Sequence, residues 1–132
     1  MNEQNINGFL EVFKMGIELN LGVFPDIKIV KYGYSCIDGK LTLYLEGSGD
    51  EVNILKNYKE TTDVAHFYKF SSKGKMVKGN GKITLLESKE DKIYGLNYIK
   101  KQSGKDNEYN FNEKELNNIH ILKVAVENFY VI

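Results

Sequence analysis

Residues 46–57, EGSGDEVNILKN, hold the spacing most open to chemistry. Gly47 and Gly49 flank Ser48 and run into a helix start. Backbone N–H groups and a hydroxyl in that arrangement can hold a phosphate. Asp50 and Glu51 stand where a phosphate-binding loop favours lysine. Their charge suits the positive end of a helix dipole, so the stretch reads as a cap first and an anion cradle second. Other constellations are poorer. Nucleophilic catalysis needs a presented nucleophile with an orienting base. The chain offers one cysteine, Cys36, inside a strand-like run, and two isolated histidines, His66 and His120. Cys36 reads as a buried thiol, and neither metal-ligand spacing nor a paired acid and base is present. No catalytic side chain and no metal ligand is assigned.

Charge narrows the partners. The 132 residues carry 18 basic and 18 acidic groups, and every basic one is lysine. Zero net charge draws in neither nucleic acid nor anionic lipid. The lack of arginine removes the planar fork used for bidentate phosphate contacts. Lys69, Lys73, Lys75, Lys78 and Lys82 interleave with Phe67, Tyr68 and Phe70, a pattern that a strand platform for single-stranded nucleic acid would share. A solvated hairpin with its aromatics on the core fits the neutral balance better. No apolar run approaches a membrane span, and the amino terminus lacks signal-peptide features. The expectation is a cytoplasmic protein with neither nucleic acid nor membrane as partner.

The elements that must position these residues follow from periodicity. Ile6, Phe9, Leu10, Phe13 and Ile17 recur at helical spacing, predicting a helix over 3–15. Residues 17–22 alternate as a strand, and Pro25 marks a turn. Two strands follow, joined at Asp38-Gly39, a dipeptide suited to positive φ at both turn positions. On the second, Leu41, Leu43 and Leu45 face one way and Thr42, Tyr44 and Glu46 the other. A short helix over 50–59, a strand over 63–70 and a longer strand over 75–87 come next. Gly79-Asn80-Gly81 predicts a bulge or a close backbone approach. Ser88 opens a capped helix to about Gln102. Residues 103–112 form a polar loop, Asn112 and Glu115 suit one more helical turn, and a final strand carries Leu122, Val124 and Val126. The expectation is one mainly β domain over 1–132, a small six-stranded antiparallel barrel with packed helices.

The runs YSCIDGKLTLYLEGSGDEVNILKN and MVKGNGKITLLESKEDKIYGLNYIKK, with this order of elements, resemble the pyridoxamine 5′-phosphate oxidase-like FMN-binding split barrels, in their nitroimidazole-reductase-related branch. Asp38-Gly39-Lys40, Gly47 to Gly49 and Asn53 to Asn57 carry the likeness, with residues 76–101 and the closing KVAVENFY. The resemblance implies a homodimer with FMN at the subunit interface and flavin-dependent oxidoreductase activity on a small-molecule substrate. It places the flavin pyrimidine against the backbone of Val30, Lys31 and Tyr32. Tyr44, Gly47 and Ser48 would lie beside the cofactor and Asn53 and Lys56 near its phosphate. Lys78 and Lys82 would come from the partner chain, and Tyr32, Tyr34 or Tyr44 would flank the substrate. The chain departs from the pattern at Ile29 (a proline), Glu46 (a histidine), Asp50 or Glu51 (a basic residue), and its end, which lacks the closing Gly-Lys or Gly-Arg. These departures support an alternative, a flavin-free relative whose dimer cleft binds another small molecule or a protein partner.

Overall fold

The computed structural model describes residues 3–23, 26–47, 64–71, 73–104 and 113–132. Helix α1 spans Glu3–Phe13 and buries Phe9, Val12 and Phe13 at the i, i+3, i+4 spacing of an amphipathic face. It stops before the periodicity does, because Gly16 takes a left-handed φ of 84° and turns the chain out of helix. Ile17, next in the helical series by spacing, is exposed instead. Strands β1 (Glu18–Val23), β2 (Asp26–Ile37) and β3 (Lys40–Gly47) follow as an antiparallel meander. Asp38 and Gly39 both have positive φ, 53° and 76°, as the two-residue hairpin requires.

Strands β4 (Val64–Phe70), β5 (Met76–Leu86) and β6 (His120–Val131) complete a closed antiparallel barrel in the order β1-β2-β3-β6-β5-β4. Alternation points Leu19, Leu21, Leu41, Leu43, Leu45, Phe67, Leu122 and Val124 inward, and each is at least nine-tenths buried. The register slips between Asn80 and Gly81, where Gly81 faces Val126 and Asn80 faces Asn128. The extra residue of this bulge is therefore Glu127 on β6. Beyond it the alternation resets, and Phe129 rather than Asn128 turns to the core. The glycines are needed here. A Cβ on Gly79 would stand 2.6 Å from the Asn128 carbonyl oxygen. Among the described residues the closing seam has the shortest register: β1 meets β4 through Asn20↔Tyr68, Leu21↔Phe67 and Gly22↔His66.

Helix α2, Lys89–Gln102, begins at Ser88, whose Oγ accepts from the Asp91 N–H at 3.1 Å. It lies on the outside of β2, β3 and β6 and buries Leu96 and Ile99 against Tyr44 and Ile121. That cover changes the reading of β3. Tyr44 is on the outward row, as the alternation says, yet it is 5% exposed because a helix sits on it. Helix α3, Glu113–Asn118, is a short turn before β6. One local expectation fails: Cys36 is exposed, since it belongs to the outer end of β2 beyond the reach of the core. The expected helix over 50–59 and the turn at Pro25 lie outside the described residues.

Candidate functional site

The outer rows of β2, β3 and β6 bring part of the expected site together. Lys31 pairs across the sheet with Glu18 on one side and Glu46 on the other, so this cation stands between two carboxylates. Tyr44 sits one row along, opposite Gly33 and Lys123. Gly47 pairs with His120, and a Cβ there would meet Leu122 Cδ1 at 3.0 Å. The small residue thus serves packing within this chain.

Val30 and Tyr32 face the barrel interior. The Tyr32 amide donates to the Ile17 carbonyl at 3.1 Å. Its hydroxyl donates to the Phe13 carbonyl, and the Gln102 amide nitrogen lies 3.1 Å from the same hydroxyl. Gln102 also donates to Phe13 and Gly16 carbonyls at 2.9 and 2.7 Å. Burial, and then the neighbouring Tyr34, push the Tyr32 hydroxyl well above the usual tyrosine range. It is therefore a neutral donor that ties the end of α1 to α2 through β2, with its side chain away from the outer surface.

Tyr44 belongs to a cluster that the sequence reading did not assemble. Its ring stacks on Tyr98 at 5.1 Å between centroids and 5° between planes, and Tyr94 meets both edge-on. Tyr94 and Tyr98 are one helical turn apart on α2, with hydroxyls 3.3 Å apart. That i, i+4 spacing was the available signal. The hydrogen bond to Tyr94, followed by burial, raises Tyr98 to about 12. Burial and then Tyr94 raise Tyr44. The three rings form an aromatic cluster one row along from Lys31 and Glu46, with Tyr44 buried and Tyr94 the exposed member. Tyr34 is half-buried and lines a cavity of about 400 Å³ with Lys14, Ser35, Cys36, Tyr98 and Gln102.

Lys78 and Lys82 are exposed on the outer face of β5, Lys78 between Tyr68 and Tyr130 and Lys82 opposite Ala125. Strand β6 separates them from β3, and one chain does not bring them to Lys31. Ser48, Asn53 and Lys56, and the opposing Asp50 and Glu51, lie outside the described residues. Among the described residues no group of three or more His, Cys, Asp or Glu could hold a metal ion, and no helix is long and apolar enough to cross a membrane.

A closed six-stranded barrel with a helix laid across its β2–β3–β6 face is the split-barrel architecture. Solved structures share it over nearly the whole chain. A candidate pyridoxamine 5′-phosphate oxidase from Listeria innocua matches with a TM-score of 0.65 at 18% identity, covering 96% of both chains. A candidate 5-nitroimidazole antibiotic resistance protein from Bacteroides thetaiotaomicron VPI-5482 matches at 0.64 and 15% identity, over 98% of this chain and 82% of the other. A NimC/NimA family protein from Clostridium acetobutylicum matches at 0.60 and 11%, over 98% and 92%. No family model and no curated protein matches the sequence. The likeness is one of fold, and it includes proteins of the two kinds that the sequence resembles.

Proposed function

We propose that the chain is an FMN-binding split barrel of the pyridoxamine 5′-phosphate oxidase-like group, nearest its nitroimidazole-reductase-related branch, acting as a homodimeric flavin-dependent oxidoreductase. The observation that carries this reading is the barrel itself. It sets the Asp38-Gly39-Lys40 hairpin, the Lys31–Glu46 row and Gly47 in one continuous register. The described residues support the reading in part: Tyr94 and Tyr98 keep ring surface open to solvent at the edge of α2, with Tyr44 buried beneath them beside the β2 backbone. Bound flavin would supply the redox chemistry, leaving the chain to hold and orient it. The resemblance sets Ser48 beside the cofactor and assigns the phosphate to Asn53 and Lys56, with Lys78 and Lys82 coming from the second subunit.

One observation favours the flavin-free alternative. Lys31 lies between Glu18 and Glu46, so the face offered to an anion carries its own neutralising carboxylates. Titration with FMN, followed by flavin fluorescence, separates the two. Stoichiometric quenching, and a yellow protein on purification, are expected. A colourless protein that leaves FMN fluorescence unchanged overturns the flavin reading. Glu46→Lys then reports on electrostatics: it should tighten FMN several-fold, since one like charge near the phosphate is replaced by an opposite one. No change in affinity would remove Glu46 from the anion's surroundings.

A further inference from the structure

Lys69 stands apart from the other described lysines, being the only buried one, at 7% exposure. Its place follows from the alternation of β4, which sends Ala65, Phe67 and Lys69 inward and His66 and Phe70 outward. Lys69 reaches the barrel end where β1 and β4 have parted, one residue beyond the last paired row, Asn20↔Tyr68. There its Nζ donates to the Glu18 carbonyl at 3.0 Å and lies 5.0 Å from the centre of the Tyr32 ring. Gly16 closes over it, and a Cβ at that glycine would come within 2.8 Å of Nζ.

An ammonium has three donors, and burying it without a carboxylate is costly. Among the described residues no carboxylate lies within ion-pairing distance of Nζ, and one carbonyl and one ring face are its partners. Burial moves the amine below the ordinary lysine range, more strongly than the charge of Glu18 restores it. A neutral amine needs fewer partners and carries a lone pair. Lys69 also opens onto a cleft of about 210 Å³, whose other walls are Glu18, Leu19, Asn20, Ile29 and Phe70. Leu19, Ile29 and Phe70 make much of it apolar, and Glu18 is the one other titratable residue lining it.

The geometry points to Lys69 as a nucleophilic amine that captures a small apolar aldehyde as an imine in the cleft where β1 and β4 part. The Nζ lone pair attacks the carbonyl carbon, giving a carbinolamine. The oxygen then leaves as water, carrying both hydrogens lost from nitrogen, and a C=N bond remains. No redox partner is needed, and the reaction reverses with water. The site is separate from the tyrosine surface on α2 and does not depend on flavin.

The test is reductive trapping of the wild-type protein with butanal and cyanoborohydride near neutral pH, read by peptide mapping at each lysine. Lys69 should be alkylated measurably faster than exposed Lys73 and Lys75, because burial lowers its pKa and so raises its free-amine fraction. Lys69→Arg keeps the charge and most of the stem but should abolish the fast phase. Equal or slower alkylation at Lys69 in the wild type would reduce it to a brace between β1 and β4, and needs no variant to be seen. Protection of Lys69 by butanoate, without fast alkylation, would make the cleft an anion site and also overturn the imine.

Discussion

Tyr32 shows how one hydroxyl can organise a barrel end. It sits between the Phe13 carbonyl and the Gln102 amide, and Lys69 lies over its ring. Removing the oxygen by Tyr32→Phe would leave buried polar groups with fewer partners, a loss of about 1–3 kcal/mol in a chemical denaturation curve. The same substitution should alter the alkaline limb of stability. In the unfolded chain tyrosine ionises near pH 10, while folded Tyr32 holds its proton to higher pH and folded Tyr98 to about 12. The folded state then binds more protons, so this stability is complete below about pH 10 and is lost as pH rises past it. Lys69 acts in the opposite sense. Its depressed folded value makes stability rise with pH until the unfolded lysine also deprotonates, near pH 10.5. The wild-type denaturation midpoint should therefore fall above about pH 10.5, and Tyr32→Phe should fall less steeply. Parallel curves would show that Tyr32 carries none of the effect.

At the scale of elements, the docking of α2 on the sheet decides which outward residues are buried. Contact is allowed by two glycines. A Cβ on Gly33 would strike the Tyr98 backbone, and one on Gly95 would stand 2.9 Å from Tyr44 Cδ1. Backbone cannot swing aside as a side chain can, so Gly33→Ala should lift the helix. The expected loss is about 1–3 kcal/mol of stability, with weakened near-ultraviolet circular dichroism as the Tyr44–Tyr98 stack opens. Unchanged stability and an unchanged tyrosine signal would mean that the helix does not bear on β2 there. This contact also explains a partial success of the sequence reading. Alternation correctly put Leu41, Leu43 and Leu45 on one face and Tyr44 on the other, but it carries no information about what covers the second face. The cap at Ser88 and the hairpin at Asp38-Gly39 were legible, because each is fixed by residues within a few positions of itself. The bulge was legible in its glycines, whereas the extra residue, Glu127, is on the other strand and is named only by the register.

For the whole molecule, helix α2 covers β2, β3 and the first part of β6, whereas Phe70 at the end of β4 and Tyr130 and Ile132 at the far end of β6 are each at least 60% exposed. Exposed apolar groups gathered at these strand ends suit a partner surface. With the dimer proposed above, sedimentation should give the mass of two chains at micromolar concentration, and Tyr130→Glu should shift it towards one. A wild-type monomer would remove the second subunit, and with it the assigned roles of Lys78 and Lys82. The sequence by itself determined the strands, the tight hairpin, the α2 cap and the inward leucine rows, since these depend on period and on neighbours along the chain. Tertiary structure alone decided that Tyr44 meets Tyr94 and Tyr98, that Lys31 lies between two glutamates, and that Lys69 is buried at a parted seam. Those juxtapositions join residues far apart in sequence, and strand register together with helix docking, rather than local propensity, sets the distances between them.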